Sequence, residues 1–431
     1  MMDQGLVATS NFTLNILLAR WLTPNEYGAF SVAYTIFLFL STFHIGMLNE
    51  PLLVFGPGKY KCKIRTYLRV LILGNWIFGI FVGTIFFLAH LAFLLFSSSL
   101  LTPTFLGISI ASPFILFQWL MRRACYINLQ PQLAAFSGVG YMVLIFTGAF
   151  VLNHYERLNP NNVLFIMAIA NLFSGLWLFF KLGVPLKLKK DTELISDALK
   201  DHWRYGRWAS GTAALAWIPC NVFIVFLPIW SGLEASAAYK ALLNLLLPML
   251  YVNTALGAVM LPILVDRRGL TDFWPLVIQF SFLCIIGPFF YWVFIGVFGE
   301  SLMHLLYSGN YLEYVDILWL IGIIPVIGAL VTISVIALQA LELPHIIFRA
   351  YLVSTGVTLT LGLLIVKNWG VQGAMVGWLI AYIAIVSILI GMLALYKQTF
   401  TFNTHRCKQI TNGGGSAQKD SSRCSSKSIP A

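Results

Sequence analysis

The sequence contains little charge and few residues that could build a compact catalytic or metal-binding site. Only 10% of its 431 residues are charged, 59% are hydrophobic, and the mean hydropathy is +0.84. Soluble domains carry about 25% charged residues, so the composition indicates a protein that is solvated by a lipid bilayer. The six cysteines are scattered, with no CxxC pair or Cys/His cluster, so we expect neither a disulfide framework nor a metal site.

Several functional motifs are also absent. No P-loop occurs, so transport is not driven by ATP bound to this chain. No HExxH, GxSxG or paired-acid motif occurs either, so we expect no catalytic residue, no cofactor and no enzymatic activity. The net charge of +11 indicates basic loops facing anionic lipid headgroups, and we expect no binding to nucleic acid. The N-terminus lacks a basic n-region, so we interpret the first apolar run as a retained membrane span.

Hydrophobic runs of membrane-spanning length follow one another along almost the whole chain. A spanning helix needs roughly 20 apolar residues. The run 70–121 is long enough for two spans that turn near Pro103. With these two, the sequence predicts twelve spans, and the other ten lie at 5–19, 27–49, 124–155, 158–180, 208–233, 241–265, 273–299, 317–341, 350–366 and 368–396.

Lysine and arginine are concentrated in every second break between these runs. Counted from a cytoplasmic N-terminus, 23 of the 27 basic residues lie in the even breaks and the C-terminal tail. This asymmetry is typical of the positive-inside rule, and it predicts a multi-pass membrane protein with both termini in the cytoplasm. Four basic residues do not follow the pattern: Arg20, Arg157, Lys240 and Lys367.

The longest internal polar stretch lies midway along the chain and predicts its organisation. We expect an all-α integral membrane protein in which two six-helix lobes, 1–183 and 208–396, surround a central cavity. The segment 184–207 is predicted to be a cytoplasmic linker. The segment 397–431 is rich in Gly, Ser and Lys and is predicted to be a disordered basic tail.

Polar residues at membrane depth are the candidate substrate-binding residues, because an ionisable group within a span is costly and usually functional. Arg20 ends the first span, Glu50 lies near the end of the second, and Lys240 lies one turn into the eighth with Asn244 four residues further on. The sequence leaves two interpretations open for each charged group: a cavity-lining residue, or a residue that reaches the membrane interface.

Gln118 and Arg122 lie four residues apart in the fourth span, so they share one face of that helix. We predict that this pair contacts substrate. Arg122 could equally belong to the general set of basic residues at the cytoplasmic boundary.

Four short motifs carry a resemblance to a known family. They are LLAR followed by PNEYG within residues 17–28, QWLMRRACY at 118–126, YKALLNL at 239–245 and LYSGNY at 306–311. In this order, on twelve predicted spans, the chain resembles Wzx-type lipid-linked oligosaccharide flippases, a branch of the multidrug/oligosaccharidyl-lipid/polysaccharide (MOP) exporter superfamily. The resemblance covers residues 3–396.

The resemblance implies a function and partners. A flippase of this type moves an undecaprenyl-pyrophosphate-linked sugar unit to the outer leaflet by alternating access of two lobes. It implies a lipid-linked substrate in the bilayer, a coupling ion (H⁺ or Na⁺), and a polysaccharide polymerase and glycosyltransferases as partners. Arg20 and Lys240 match basic positions of the family, although Lys240 stands where arginine is common and lacks its bidentate fork.

Two other functions remain open from the sequence. A drug or cation antiporter of the same superfamily would need buried carboxylates, for which Glu50 is the main candidate. A membrane enzyme of polysaccharide assembly would usually need a large outer loop, whereas every predicted outer loop here is short.

Overall fold

The structure is a computed structural model that describes residues 2–96, 99–184, 192–268, 270 and 272–412. Within these ranges the chain is helical, and no β-strand is present. The expected all-α membrane fold is therefore confirmed. Most of the segment expected to be a disordered tail, 413–431, lies outside the described residues.

Among the described residues, nine helices are long and apolar enough to cross a membrane. Two of them, Glu193–Asp266 and Pro344–Lys397, each contain a break at a glycine, so that together with the N-terminal helix they give twelve segments, which correspond to the twelve predicted spans. In the N-terminal lobe they are α1 (Met2–Trp21), α2 (Pro24–Phe55), α3 (Lys61–Phe96), α4 (Leu101–Ile127), α5 (Pro131–His154) and α6 (Pro160–Lys181). The helix Thr192–Asp266 contains α7 (192–231) and α8 (233–266), and α9 (Phe273–Tyr307) and α10 (Ile317–Ala340) follow. Residues 344–412 contain α11 (344–369) and α12 (371–412).

At two positions, a single glycine separates two spans that would otherwise form one continuous helix. Gly232 has φ 81° and lies between α7 and α8, and Gly370 has φ 54° and lies between α11 and α12. Both values fall in the left-handed region, which glycine adopts without steric cost. The chain therefore reverses at these points with almost no loop, which explains why the intervening breaks in the sequence are short.

The start of α2 is fixed by a capping box. Thr23 accepts a hydrogen bond from the backbone of Glu26, and the Glu26 side chain accepts one from the backbone N–H of Thr23 at 3.0 Å. Pro24 occupies the first turn, where its missing N–H costs nothing. This arrangement satisfies helix-end groups that would otherwise be unpaired and sets where α2 begins.

We expect Thr23→Ala to lower the free energy of unfolding by about 1 kcal/mol, the usual cost of losing such a cap. Thr23→Ser keeps the accepting hydroxyl and should stay within about 0.5 kcal/mol of the parent protein. Reversible unfolding in mixed detergent micelles would measure both variants. Equal loss in the two variants would show that the hydroxyl is not what stabilises the helix start.

The arrangement of the core shows which end of the molecule is closed. We call the end that carries Lys59, Arg122, Arg123, Arg267 and Arg268 the basic face, and the opposite end the far face. In the far half, one continuous hydrophobic cluster combines residues of both lobes, including Phe30, Phe223, Leu242 and Tyr307. In the basic half, the two lobes have separate clusters. The lobes are therefore packed together at the far face and divided at the basic face.

The described part of the expected linker, 192–207, is helical and forms the first turns of α7. It packs on the N-terminal lobe, where His202 contacts the backbone oxygen of Met47 at 2.7 Å and the Tyr67 hydroxyl at 2.6 Å. Asp201 accepts hydrogen bonds from Lys59 at 2.7 Å and from Tyr60 at 2.6 Å. The domain boundaries given above remain predictions.

Candidate functional site

Lys240 is a buried cation without an anionic partner. Its side chain is 8% exposed within α8. Its ammonium group makes no hydrogen bond or ion pair with the described residues. The titratable side chain that interacts with it electrostatically is the thiol of Cys220 on α7. A buried charge is costly unless it is paired. Lys240 is therefore a position at which a bound anion would offset the cost of burying the charge.

Asn244, one turn further along α8, joins the two lobes. Its side-chain amide donates a hydrogen bond of 3.0 Å to the hydroxyl of Tyr27 on α2. Nearer the far face, the amide of Asn25 donates to the carboxylate of Glu234 at 2.7 Å. We call this set of contacts, Asn25–Glu234 and Tyr27–Asn244, the far-face gate.

The backbones of the two lobes also meet at the far-face gate. A Cβ atom placed on Gly28 would lie 2.0 Å from the carbonyl oxygen of Leu233. Only hydrogen at this position lets α2 approach the start of α8 so closely. The PNEYG motif therefore supplies a cap, two gate side chains and the close-contact glycine within a few residues.

Arg20 lies at the far face and is exposed. Its guanidinium donates a hydrogen bond of 3.3 Å to the backbone oxygen of Leu305 on α9. Arg20 thus ties α1 to the C-terminal lobe, and no described cavity brings it together with Lys240.

Arg122 lies at a cavity that opens at the basic face. This cavity has a volume of about 340 Å³, and we call it the arginine cavity. Arg122 and Arg123 of α4 provide its positive charge, and Asn11 of α1 and Asn49 of α2 provide amides. Trp119 and Tyr126 line the same wall. Guanidinium groups with amides and aromatic rings suit an anionic headgroup that carries sugar hydroxyls.

Gln118 lies deeper in the N-terminal lobe. It is 2% exposed and lines a small cavity with Tyr34, Tyr141 and Asn171. Asn11 and Trp119 line both this cavity and the arginine cavity, so the two adjoin. The structure therefore places Gln118 and Arg122 along one polar path, as their shared helix face suggests.

Glu50 is half-buried and lines a separate, larger cavity of about 980 Å³ between α2, α7 and α10. Its walls include Phe55, Tyr205 and Trp208, with Arg204 and Asp201 near the opening.

Asp201 already forms an ion pair with Lys59. Its carboxylate raises the pKa of the Lys59 ammonium through their hydrogen bond, and burial raises the pKa of Tyr60 to about 12. The Lys59 side chain is 47% exposed, so this contact adds little stability.

Sequence reasoning missed several residues of the arginine cavity. Trp119, Arg123 and Tyr126 were not predicted to be site residues, although they follow Gln118 and Arg122 along the same helix. The spacing of 119, 122 and 126 places them on one helical face, so this periodicity could have revealed the wall. Asn11 and Asn49 carry no comparable signal, because isolated amides in a span are usually contacts between helices.

The described residues contain no group of three or more His, Cys, Asp or Glu side chains that could hold a metal ion. The interior is instead characterised by cations and amides. Such groups bind and orient an anionic or hydroxyl-rich molecule rather than activate water or a carbonyl group.

No protein-family model matches the sequence, and no curated protein matches it. The fold, in contrast, is shared with solved transporters. An inward-facing multidrug resistance MATE family transporter of the MOP superfamily aligns with TM-score 0.74 and 11% identity, over 92% of this chain and 94% of the other. The lipid II flippase MurJ in an inward closed conformation aligns with TM-score 0.74 and 12% identity, over 98% and 94%.

An outward-facing MATE transporter of the same superfamily aligns less well, with TM-score 0.63 and 12% identity over 93% of this chain and 94% of the other. Since identities are this low, the comparisons establish a shared transporter fold, and the substrate has to be argued from the site.

Proposed function

We propose that this protein is a flippase that moves polyprenyl-pyrophosphate-linked oligosaccharide across the cytoplasmic membrane by alternating access. The observation that carries the proposal is the buried, unpaired ammonium group of Lys240. A pyrophosphate supplies the negative charge that this position lacks, and its lipid chain can remain in the bilayer while the headgroup enters.

The arginine cavity supports the same function. It opens at the basic face, which the distribution of lysine and arginine assigns to the cytoplasm. A lipid-linked sugar made in the cytoplasm would meet Arg122 and Arg123 first. In this scheme the arginine cavity receives the headgroup, and Lys240 binds the pyrophosphate once the lobes close around it. One of the fold's solved relatives carries the name of a lipid II flippase.

A cation antiporter is the second candidate, because Glu50 lines the largest of the cavities described, together with aromatic side chains. A carboxylate beside tyrosine and tryptophan suits a lipophilic cation. We favour the flippase because Glu50 is only half-buried, whereas the buried charge is cationic.

Binding to the purified full-length protein separates the two functions. Thermal unfolding in detergent would be followed with geranyl pyrophosphate, with geraniol as the uncharged control, and with tetraphenylphosphonium as a lipophilic cation. We expect geranyl pyrophosphate alone to raise the unfolding temperature in a concentration-dependent way. Stabilisation by tetraphenylphosphonium and none by the pyrophosphate would contradict the flippase and support the antiporter.

A further inference from the structure

A second polar cluster is buried in the N-terminal lobe, beside the arginine cavity. His44 of α2 and Asn75 of α3 are both 0% exposed. Nε2 of the imidazole lies 2.8 Å from the Asn75 side-chain oxygen, and the ring packs on Phe78 at 5.6 Å. A buried histidine within a membrane span is costly and is often functional.

This cluster leaves much of its hydrogen-bonding capacity unused. Nδ1 of His44, the side-chain nitrogen of Asn75 and the side-chain oxygen of Asn49 are buried and have no partner among the described residues. Native proteins satisfy nearly all buried polar atoms, so two such atoms in one hydrogen-bonded pair, with a third at Asn49 further along α2, call for an explanation. Because the Asn75 oxygen can only accept, Nε2 carries the hydrogen and Nδ1 is a free acceptor. The imidazole is thus neutral, with an open position for one proton.

The backbone beside His44 is also irregular. A π-helical turn, Ile45–Asn49, begins immediately after it. In a π-helix the hydrogen bond joins residues five apart, so Asn49 lies one turn from His44 on the same side of α2. Ile45 and Asn49 also line the arginine cavity, so the turn lies between this cavity and the imidazole.

A movement of the two lobes relative to each other would affect the π-helical turn, because α7 packs against it. A Cβ on Gly46 would lie 2.3 Å from the Ser210 hydroxyl oxygen, and one on Gly206 would lie 2.7 Å from the Met47 sulfur. α7 is therefore in tight contact with the π turn. A movement of α7 relative to α2 would therefore change the packing of the turn.

We propose that His44 is the proton-binding site that couples lobe movement to a proton gradient. The inference rests on the proposed transport function and names its coupling ion. In the inward-facing state described here, Nδ1 has no acceptor for an added proton, so this state holds His44 neutral. A rearranged π turn that offers the Asn49 oxygen to Nδ1 would stabilise the imidazolium. Protonation then favours the state in which the far-face gate is open, since a ligand favours the state that binds it better.

Other titratable groups surround the same turn. They are Glu50 on α2, Tyr67 on α3, Arg122 and Arg123 on α4, and His202 on α7. Of these, His202 ordinarily titrates in the same range as His44. It contacts the Met47 backbone oxygen, so a His202 variant is the essential control.

The test measures the opening of the far face as a function of pH, without substrate. Nitroxides would be attached at the exposed far-face positions Arg157 and Asp316, in a full-length chain with its native cysteines replaced, in lipid nanodiscs. Electron–electron resonance would give the distance between them at pH values from about 8 to about 5.5, on both sides of the ordinary histidine pKa of about 6.5.

We expect acidification to increase the long-distance, open population about threefold or more in the otherwise unaltered protein. His44→Gln should abolish this response, whereas His202→Gln and His90→Gln should keep it. Asn75→Asp places a carboxylate beside the imidazole and should move the midpoint to higher pH by about one unit or more. A His44→Gln protein with the full response, or a parent protein with none, would overturn the proposal.

The two proposals fail in different ways. The distance measurement uses no substrate, so it reports on His44 even if geranyl pyrophosphate does not bind. A response that follows added sodium rather than pH would also overturn the proton assignment. Loss of geranyl pyrophosphate binding together with an intact, His44-dependent response would contradict the flippase and leave the proton site in place.

Discussion

Lys240→Ala is expected to reduce affinity for geranyl pyrophosphate by about ten- to a hundredfold, because a hydrogen bond to a charged group contributes about 1.5–3 kcal/mol. The same substitution should raise the unfolding temperature of the protein without ligand. It removes a buried cation that has no anionic partner among the described residues. A substitution that weakens ligand binding while it raises stability indicates that the residue serves binding at a cost in stability. Titration with geranyl pyrophosphate and thermal unfolding would measure both effects on the same samples.

Two variants serve as controls for this result. Lys240→Arg keeps the charge and should retain most of the affinity. Lys367→Ala removes an exposed lysine of the same lobe and should change neither affinity nor stability. If Lys240→Ala bound geranyl pyrophosphate as well as the parent protein, the ammonium group would not be the pyrophosphate site.

Gly28→Ala is expected to prevent full closure of the far-face gate and to reduce transport at least tenfold. The added methyl group would lie 2.0 Å from the Leu233 carbonyl oxygen, a backbone atom that cannot rotate away. The two lobes would have to separate around Gly28. The inward-facing state would then lose the close contact between α2 and the start of α8 that closes the far face. A cysteine placed at Ala238, which is 1% exposed and lies between Glu234 and Asn244 on α8, should then become more accessible to a membrane-impermeant maleimide, with native cysteines replaced.

Gly140→Ala is the matched control, because Gly140 also lies within a helix and a Cβ there meets no atom within 4 Å. It should leave transport unchanged and could slightly stabilise α5, since alanine favours helix over glycine by about 1 kcal/mol. If Gly28→Ala transported normally and left a cysteine at position 238 unlabelled, close approach at the gate would not be required.

The sequence predicted the number of spans well, because lipid imposes the same length and charge rules on every span. The two reversals at Gly232 and Gly370, where helix runs on with almost no loop, lie close to predicted breaks, just inside the predicted spans 208–233 and 368–396. The part of α7 before residue 208 was harder to predict. Its helix forms by packing on the N-terminal lobe through Asp201 and His202, a contact between residues distant in sequence.

The candidate site could be predicted only in part, because sequence places a residue on a helix but not opposite its partner. Gln118 and Arg122 do adjoin connected cavities. Asn244, predicted to be a substrate-binding residue, donates instead to Tyr27 in this state, so a role in substrate binding would require the gate to open. Arg20 is exposed and bonded to a backbone oxygen, and its role in binding remains a prediction. His44 was not predicted to be a site residue, because it lies within an apolar run and its hydrogen-bond partner, Asn75, lies in another helix.

The most direct test of the proposed function is transbilayer movement of a polyprenyl-pyrophosphate-linked sugar in proteoliposomes. A radiolabelled polyprenyl-pyrophosphate-linked N-acetylglucosamine would be placed in one leaflet, and its arrival in the other would be followed with an added glycosyltransferase that cannot cross the membrane. We expect movement that depends on the protein, is reduced at least tenfold by Lys240→Ala, and is unaffected by Lys367→Ala. Equal rates in protein-free liposomes, or undiminished movement by Lys240→Ala, would contradict the account.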